Sequence, residues 1–495
     1  MRVVVCGAGV AGLTTALALG RAGHDVVLLE RDATPMPADA HEAFRWQRRG
    51  APQVRHSHAL LARLRNTLAE RAPDVLAALL AEGATEIAFC ADPPETLTDR
   101  DPRPGDDQLV ALACRRTTFE WVLRREALAT PGVDLRDGVA VLGLLAAPPT
   151  APDRRAPHVR GVRIDGPEGD GLLTADLVVD AGGPRSAGRE WLVELGVAAP
   201  PEDVFESGIV YLSRFYELID GAEPPEVQGP LVGELGYLKF AVFPGDNSTF
   251  SITLAVGADD RELRARLAEP EGFERAVMAL PAAVPWRDGR SAPITGVELM
   301  AGLRNRRRTF VVDGAPIVTG FVALGDAAIC TNPLYGRGCS LAVVHAFGLA
   351  DALAESHDDP VALALALHDF TRRELDPWYR AAVQQDRESQ EVHSGAAEPS
   401  ATPFLDQVET AEDGYVDPRA WARELFREGL LPAIRTSPIV FRAFLRWFNL
   451  LATPDALVQD GEVIMAALES YQNREHHPVD PIPGPPDRDA LLALL

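Results

Sequence analysis

The N-terminus of the chain carries a glycine-rich turn between a strand and a helix, and this feature constrains the fold more than any other part of the sequence. Residues 3–6 form an apolar, largely β-branched run typical of a buried parallel strand, and residues 13–22 have the apolar spacing of a helix. Between them, Gly7 permits a tight turn, Gly9 lets the backbone approach a pyrophosphate, and Gly12 lets the helix pack closely on the strand. N–H groups at the start of a helix attract phosphate. The pattern therefore predicts a Rossmann-like unit that binds a dinucleotide.

A second predicted strand, residues 25–30, ends in an acid, Glu30, which follows Gly12 by 18 residues. In Rossmann-like units an acid at this place accepts hydrogen bonds from the adenosine ribose and disfavours a 2′-phosphate. FAD and NAD share that ribose, so this part of the sequence leaves both cofactors open.

A further glycine-rich corner lies more than 300 residues along the chain. The predicted strand 321–324 ends at Gly325-Asp326, and a loop with Pro333 leads into a predicted helix over residues 340–353. Asp326 can bind a polyol hydroxyl. The backbone of residues 336–338 can place N–H groups against a ring oxygen that becomes anionic on reduction. Two such distant corners require a ligand longer than a nucleotide.

The motifs at residues 7–12, 325–326 and 332–338, together with Glu30, resemble those of the FAD-dependent monooxygenases of the para-hydroxybenzoate hydroxylase fold. Within that fold, the chain resembles the bacterial flavin epoxidases and their halogenase-like relatives. It implies that Asp326 contacts the flavin ribityl chain and that the loop 332–338 lines the flavin.

Two more segments carry the same resemblance. Residues 112–119 with Leu123 are similar to the family's Arg-x-x-Leu helix start, and residues 49–58 resemble a G-x-P-Q-x-x-H-x-H stretch that passes close to the cofactor. For His56 and His58 a structural role and a flavin-side role both stay open, while the lack of a third ligand nearby argues against a metal site. The resemblance implies a cofactor site made of Gly7, Gly9, Ala11, Gly12, Glu30, Arg31, Arg49, Gln53, Arg116, Asp326, Pro333, Gly336 and Gly338.

The chain departs from the family between residues 177 and 186. Gly182-Gly183 stands where the hydroxylases carry an Asp-Gly pair, although Asp180, Ser186 and Arg189 match the outer frame of that motif. The family associates this pair with both FAD and NAD(P)H. We therefore expect NADH or NADPH as the electron source, either directly or through a separate flavin reductase.

The predicted fold is α/β. It has a Rossmann-like, discontinuous FAD-binding domain (1–200 and 300–355), an inserted mixed β-sheet domain for substrate (201–299), and a helical C-terminal region (356–495). Alternating residues predict strands in the insertion, and its aromatics either line a pocket or belong to the core. These aromatics are Tyr211, Phe215, Tyr237, Phe240 and Phe243.

In the C-terminal region, apolar spacing predicts helices over residues 361–374, 418–428 and 439–451. The polar stretch 386–415 is predicted to be a linker, and the Pro-rich tail from His476 is predicted to be mobile. The helix over 439–448 is apolar on nearly all sides, which is typical of a buried helix, and a substrate or membrane-surface role stays open.

Charge and cysteine content exclude several classes of partner. The net charge of −24 repels nucleic acid, and five scattered cysteines without a C-x-x-C pair predict a cytoplasmic protein. Because no uninterrupted apolar stretch reaches about 18 residues, we expect no stable membrane insertion. The expected partners are a small apolar substrate, O2 and, in the two-component case, the reductase.

The resemblance implies an FAD-dependent monooxygenase that uses a flavin C4a-hydroperoxide to epoxidise or hydroxylate a bulky, fairly apolar natural-product intermediate. No catalytic side chain is identified. A geranylgeranyl-type reductase is an alternative, although its Y-x-W-x-F-P motif is reduced to Phe243-Pro244, and a non-catalytic flavin-binding sensor is another. A flavin halogenase would need a W-x-W-x-I-P motif and a lysine between the first glycine motif and the substrate region. This class is disfavoured because the motif is missing and the sole lysine, Lys239, lies within the substrate region. An NAD-linked dehydrogenase leaves Gly325-Asp326 unexplained.

Overall fold

A computed structural model of the chain describes residues 1–147, 156–167, 169–219, 221–225, 231–357, 359–393, 425–474 and 486–495. At its centre lies a five-stranded parallel sheet in which the N-terminal strand takes the middle place. In spatial order its strands are Phe321–Ala323, Leu177–Asp180, Arg2–Cys6, Asp25–Glu30 and Val133–Asp137.

Alternate residues of the central strand serve two cores. Val3 and Val5 face the cluster formed with the helices, whereas Val4 and Cys6 belong to a second cluster beneath a three-stranded antiparallel sheet. Because both faces are covered, the strand is apolar without interruption, as parallel strands are. The helices on the first face are Val10–Arg21, Ala62–Arg71, Pro73–Ala81, Arg116–Ala129 and Arg337–Glu355. The strands of the covering sheet are Ala140–Ala146, Val159–Gly166 and Gly169–Thr174.

The inserted sheet pairs its strands antiparallel throughout the described residues, so it is antiparallel rather than mixed. Phe250, Ile252 and Leu254 face a core of short helices, while Ser251 and Thr253 face the parallel-sheet domain. Its strands are Ile209–Leu218, Val232–Glu234, Leu238–Pro244, Thr249–Gly257, Ser291–Pro293 and Glu298–Met300. Its helices are Arg261–Ala268, Pro270–Met278 and Val284–Arg287.

Smaller elements connect these layers. The remaining strands are Thr85–Ala88, Val110–Ala113, Glu202–Glu206, Arg304–Arg308, Val311–Val312, Ala315–Pro316 and Ile329–Cys330. The remaining short helices are Ala40–Phe44, Pro52–Arg55, Asp106–Gln108, Gly183–Arg185, Gly188–Glu194, Gly325–Ala327 and Pro333–Tyr335. The predicted α/β class is confirmed, and the domain boundaries stay a prediction.

The C-terminal region is helical where the structure describes it. The predicted helix 361–374 is confirmed, and the predicted helix 439–451 is confirmed with Phe448 as its last residue. Most of the predicted helix 418–428 lies outside the described residues. The helices are Pro360–Glu374, Asp376–His393, Phe426–Leu430 (a π-helix), Leu431–Thr436, Pro438–Phe448, Ala456–Gln459, Gly461–Gln472 and Arg488–Leu494.

Two predictions for this region are wrong in part. Residues 386–393, predicted as linker, continue a helix because Asp386 is buried and accepts a hydrogen bond from Asn305 on strand Arg304–Arg308. Residues 394–415 lie outside the described residues. The predicted mobile tail ends in a helix whose Leu491 is buried against the inserted domain and whose Arg488 pairs with Asp260. Local polarity misleads in both places because the partners are distant in sequence.

The apolar helix Pro438–Phe448 packs Val440 and Trp447 inside the C-terminal core, and its Leu445 packs with Leu97 and Leu109. Among the described residues one helix, Arg337–Glu355, has the length and apolar composition of a membrane span, and 72% of its apolar 18-residue stretch is buried. Its apolar residues are explained by packing inside the parallel-sheet domain.

Candidate functional site

Two helices begin at glycines on the same edge of the parallel-sheet domain. We call Val10–Arg21 the first glycine helix and Arg337–Glu355 the second glycine helix. Neither has a side chain capping its N-terminus or an acid in its first turn. The free first-turn N–H groups of both helices therefore offer partial positive charge to an anionic or electron-rich ligand.

The glycines fall into two groups by what a side chain there would meet. A Cβ on Gly12 would lie 1.8 Å from the Gly7 carbonyl oxygen, and one on Gly7, whose φ is +110°, would lie 2.6 Å from the Ala181 oxygen. At Gly9 and at Gly338 a Cβ would meet nothing within 4 Å. Gly7 and Gly12 are thus required by packing, whereas Gly9 and Gly338 border open space that a ligand can enter.

The two glycine corners lie next to each other in space. A Cβ on Gly325 would lie 2.9 Å from the Cβ of Ala11, in the first turn of the first glycine helix. The structure therefore brings the predicted residues Ala11 and Asp326 to one edge, although 315 residues separate them.

Glu30 ends its strand beside the first turn and is already hydrogen-bonded. Its carboxylate accepts from the N–H groups of Ala8 (3.3 Å) and Asp32 (3.0 Å) and from Arg48 Nη2 (3.1 Å). A carboxylate accepts about four hydrogen bonds, so a lone pair on Oε1 stays free for a ligand hydroxyl.

Arg48 is a candidate site residue that sequence reasoning missed in favour of its neighbour Arg49. Its guanidinium contacts Glu30, the Ala8 carbonyl oxygen (2.9 Å) and Glu120 (2.8 Å). Its Nε and Nη1 are buried with no partner among the described residues. Arg49, in contrast, is exposed. Buried cationic nitrogen without a protein partner at this edge suits a phosphate or ribose oxygen.

Arg116 connects the site to the second glycine helix. Its guanidinium pairs with Glu120 (2.7 Å) and donates to Sγ of Cys339 (3.0 Å) in the first turn of that helix. Burial opposes ionisation of Glu120, but the charges of Arg48 and Arg116 outweigh it and lower the Glu120 pKa. Glu120 thus stays ionised and holds both arginines in place.

Asp326 lies at the end of strand Phe321–Ala323, between the two glycine helices. Burial raises its pKa to about 6, against the opposing charges of Arg116 and Arg306. Arg306 also donates to the backbone oxygens of Asp326 (3.0 Å) and Pro184 (2.7 Å). The Gly-Asp corner is therefore fixed to the loop that carries the family departure.

That loop retains its turn despite the replaced Asp-Gly pair. The carboxylate of Asp180 accepts from the Gly182 N–H (3.0 Å) and from the Ser186 hydroxyl, and burial raises its pKa. Gly183 adopts a φ of +72° beside open space, and Arg189 is half-buried. The outer frame is preserved as a structural brace.

The loop into the second glycine helix is supported from behind. Asn332 accepts from the Leu334 N–H (3.1 Å) and from the Tyr211 hydroxyl (2.6 Å), and it donates to Asp386 (2.6 Å). Asn305 donates to the same carboxylate (2.6 Å). This bracing comes from the inserted sheet and from the C-terminal region. In the same loop Pro333 is exposed, and Gly336 has a φ of +65°.

Three residues of the predicted cofactor site make no side-chain hydrogen bond within the described part of the chain. Arg31 and Arg49 are exposed, and Gln53 is half-buried. None of their side chains hydrogen-bonds to the rest of the described chain. His56 and His58 bond to Ser213 (3.2 Å) and to the His56 carbonyl oxygen (2.9 Å), and the described residues contain no group of three metal-ligating side chains.

Two cavities lie between the inserted sheet and the parallel-sheet domain. We call the larger, of about 780 Å³, the outer cleft, and the smaller, of about 10 Å³, the inner chamber. Arg115 and Phe215 line both cavities. The ring of Phe44 packs against the Phe215 ring and against the Arg115 guanidinium. The chamber is also lined by His56, His58, Cys114, Arg116, Phe243, Pro244, Gly245, Phe250 and Ser251.

The predicted aromatics divide between pocket and core. Phe215 and Phe243 line cavities, whereas Tyr237 and Phe240 pack on the helix-side core of the inserted sheet. Tyr211 is buried and bonds to Asn332. Both of the predicted roles therefore occur.

Comparisons with known proteins agree with this geometry. Residues 2–36 match the family model of the FAD binding domain. Over 478 residues the chain is 29% identical to Protein Rv3254 of Mycobacterium tuberculosis, covering 90% of this chain and 89% of that protein.

Two solved structures are similar over most of the chain. The flavin-dependent brominase Bmp2 superposes with a TM-score of 0.58 at 15% identity, covering 96% of this chain and 99% of the other. The anhydrotetracycline hydroxylase OxyS from Streptomyces rimosus superposes with a TM-score of 0.54 at 20% identity, covering 92% of this chain and 77% of the other. The fold is that of the flavin-dependent monooxygenases and halogenases. The predicted resemblance to the para-hydroxybenzoate hydroxylase fold is confirmed at the level of the fold.

Proposed function

We propose that the chain binds FAD and is an FAD-dependent monooxygenase that hydroxylates or epoxidises a bulky organic substrate. The observation that carries the proposal is the pair of uncapped glycine helices whose Gly9 and Gly338 border open space, with Asp326 between them. When bound, FAD supplies the redox chemistry and the oxygen activation, and the protein supplies binding, orientation and electrostatics.

The residues at this edge fit that cofactor. The first glycine helix would receive the pyrophosphate, with Gly7 and Gly12 shaping the turn, and the free Oε1 lone pair of Glu30 would accept from the adenosine ribose. The unpartnered nitrogens of Arg48 would donate hydrogen bonds to oxygens of the pyrophosphate or the ribose. At the other end Asp326 would bind the ribityl hydroxyls.

The second glycine helix would meet the polar edge of the flavin ring. Its free N–H groups, together with the loop Pro333–Gly336 and Gly338, favour negative charge on a ring oxygen. Arg116 and Glu120 hold the first turn of this helix in place through Cys339. Arg31, Arg49 and Gln53 stay proposed cofactor contacts that the described hydrogen bonds do not include.

The outer cleft supports a bulky substrate. Its volume of about 780 Å³ lies within the range of small-molecule sites. Phe44, Trp46 and Phe215 provide apolar surface, whereas Arg45 and Glu217 are among its polar lining. The substrate would therefore combine an apolar body with polar groups. The similarity to OxyS, a hydroxylase of anhydrotetracycline, supports such a natural-product intermediate.

We also propose that NADH or NADPH supplies the electrons, directly or through a separate flavin reductase. The replacement of the family's Asp-Gly pair by Gly182-Gly183 supports the two-component case. The five cysteines are free thiols, which supports a cytoplasmic location.

The test is to purify the chain, soak it with FAD and record its visible spectrum. Oxygen consumption and hydrogen peroxide are then measured with NADH or NADPH, with and without an added flavin reductase. Asp326→Ala is expected to lose flavin. A protein that stays colourless after soaking contradicts the proposal, and a yellow protein that never consumes a reductant favours the sensor. Rapid bleaching by NADPH alone excludes the two-component case.

A further inference from the structure

A buried histidine of the second glycine helix contacts the Gly325-Asp326 corner. The His345 side chain is fully buried, and its Nδ1 lies 3.3 Å from the backbone nitrogen of Gly325. Its Nε2 lies 3.0 Å from the Thr371 hydroxyl oxygen on helix Pro360–Glu374. The ring therefore connects the corner that carries Asp326 to a helix of the C-terminal region.

The partners of His345 allow only one neutral tautomer. An amide N–H can only donate, so Nδ1 must accept from Gly325. The single hydroxyl proton of Thr371 is donated to the Leu367 carbonyl oxygen (2.7 Å), so this hydroxyl can only accept from the imidazole. Both contacts lead to the same result, an imidazole that carries its proton on Nε2.

Burial keeps this ring neutral. It lowers the pKa of His345 to about 3. An imidazolium carries a proton on both nitrogens, and its Nδ1–H would point at the Gly325 N–H. At neutral pH the ring therefore presents an acceptor to this amide.

The position of the ring is fixed by close packing of two helices. Gly348 lies one turn further along the second glycine helix, where a Cβ would clash with the Phe370 ring. Because Gly348 has no side chain, Phe370 can stack on His345, with 6.4 Å between the ring centroids and 16° between the ring planes. The imidazole is thus held between Phe370 and its two hydrogen-bond partners.

The amide that His345 binds lies where the two glycine helices meet. A Cβ on Gly325 would lie 2.9 Å from the Cβ of Ala11 on the first helix and 3.6 Å from that of Ala342 on the second. Gly325 is buried, and a buried N–H costs free energy unless it is hydrogen-bonded. His345 supplies that bond at the start of the turn Gly325–Ala327.

The need to fill space does not explain a histidine at this place. The residues on either side of it in the helix are apolar and buried, and they are Val343, Val344, Ala346 and Phe347. A polar ring in such a row is costly unless its nitrogens are bonded. Both nitrogens of His345 are bonded, and one of the bonds goes to the candidate cofactor site.

We propose that His345 is a positioning residue for FAD: its Nε2–H tautomer holds the Gly325 amide and, through it, the turn that directs Asp326 toward the cofactor. The inference rests on the proposed function, in which Asp326 binds the ribityl hydroxyls. Without an acceptor at Nδ1 the turn relaxes, and FAD binding then has to restore it. Helix Pro360–Glu374 takes part because Thr371 fixes the tautomer.

Two substitutions separate the roles of the two ring nitrogens. His345→Asn can place a side-chain oxygen near the position of Nδ1, so that it still accepts from Gly325. His345→Gln is one carbon longer and places its amide near the position of Nε2, so that it can bond to Thr371 but leaves the Gly325 N–H without an acceptor. Both variants lose the ring, and thermal unfolding is expected to show a similar loss of stability in the two. Flavin fluorescence titration measures their affinity for FAD.

We expect His345→Gln to bind FAD about 10-fold more weakly than His345→Asn, and His345→Asn to stay close to the wild type. A histidine that only fills space would weaken binding alike in both variants. Equal dissociation constants in the two variants, with FAD bound by the wild type, therefore overturn the inference and leave the proposed function standing.

The tautomer is measured without FAD. In isotope-labelled protein the nitrogen chemical shifts of the His345 imidazole are expected to show a protonated Nε2 and an unprotonated Nδ1 at neutral pH. The resonances are assigned by their loss in either variant. A proton on Nδ1 overturns the inference whatever the FAD affinity is. A wild type that has the expected tautomer and binds no FAD overturns the proposed function, and the role of His345 toward FAD is then wrong as well.

Discussion

The two glycine corners of the site are built in different ways. The first, at Gly7–Gly12, is local, because its turn is fixed by the close approach of Gly12 to the Gly7 carbonyl oxygen and lies within the segment 2–36. The second, at Gly325–Gly338, is held from outside by Asn305, Asn332 and Asp386. A compact motif can therefore be recognised from adjacent residues, whereas the matching corner depends on residues far along the chain.

The largest effect is expected where the two corners share a charge network. Arg48→Ala removes one cationic partner from each of the buried carboxylates of Glu30 and Glu120 and is expected to lower the free energy of unfolding by about 3 kcal/mol and to weaken FAD binding. Urea unfolding and flavin titration measure both effects. Arg49→Ala, at an exposed neighbour, is the control and is expected to change stability by less than about 0.5 kcal/mol. Equal effects of the two substitutions would contradict the assignment of Arg48.

The next test compares the open positions of the two helices. Gly9→Val and Gly338→Val place a side chain in space that is free in the structure, so the fold should tolerate both. A ligand in that space would be displaced, and we expect FAD to bind about 100-fold more weakly, a loss of about 2.7 kcal/mol. Flavin fluorescence titration measures the affinity. Wild-type affinity in either variant would place the cofactor elsewhere.

The support behind the second corner can be removed on its own. Asp386→Ala takes the acceptor from the buried amides of Asn305 and Asn332 and is expected to destabilise the fold by about 1–3 kcal/mol. Thermal unfolding reports the loss. Amide hydrogen exchange should become faster in the loop before the second glycine helix and stay unchanged in the first glycine corner. Equal protection of both corners would show that the brace is not needed.

The smallest effect concerns pH. Burial raises the pKa of Asp326 to about 6 in the folded chain without cofactor, so between about pH 4 and pH 6 the folded state holds a proton that the unfolded state has lost. The free energy of unfolding therefore falls as pH rises through this window. Asp386, whose pKa burial also raises to about 6, adds to the same slope. Asp326→Asn should flatten the slope by about 1 kcal/mol per pH unit, measured by urea unfolding at several pH values. An unchanged slope would assign it to Asp386.

The limits of sequence reasoning follow from the same contrast. The strand Asp25–Glu30 is predicted to the residue, since β-branched runs and glycine turns are local signals. Arg48 is not predicted because several arginines share its loop, and tertiary contacts alone decide which one is buried. Asp386 lies in a polar run that reads as a linker, although its side chain bonds to Asn305, 81 residues away.

The hydrogen bonds between the inserted sheet and the loop at residues 49–58 are a similar case. Ser213 and Thr253 are ordinary residues of alternating strands, and nothing in the sequence gives the register that places them 2.8 Å apart. Only His56 and Ser57 belong to a segment that stands out by resemblance. Sequence thus identifies the loop, and the paired strands supply the groups it contacts.

The long-range support of the second corner has a consequence for biosynthesis. A ribosome that adds about 5–20 residues per second needs roughly 20–80 s to proceed from the first glycine turn to residue 393, the end of the helix that carries Asp386. Until residue 323 is added, the nascent chain has only the first glycine corner, and its parallel sheet lacks the edge strand Phe321–Ala323. Coenzyme loading would therefore be a late event, completed once most of the polypeptide has been translated.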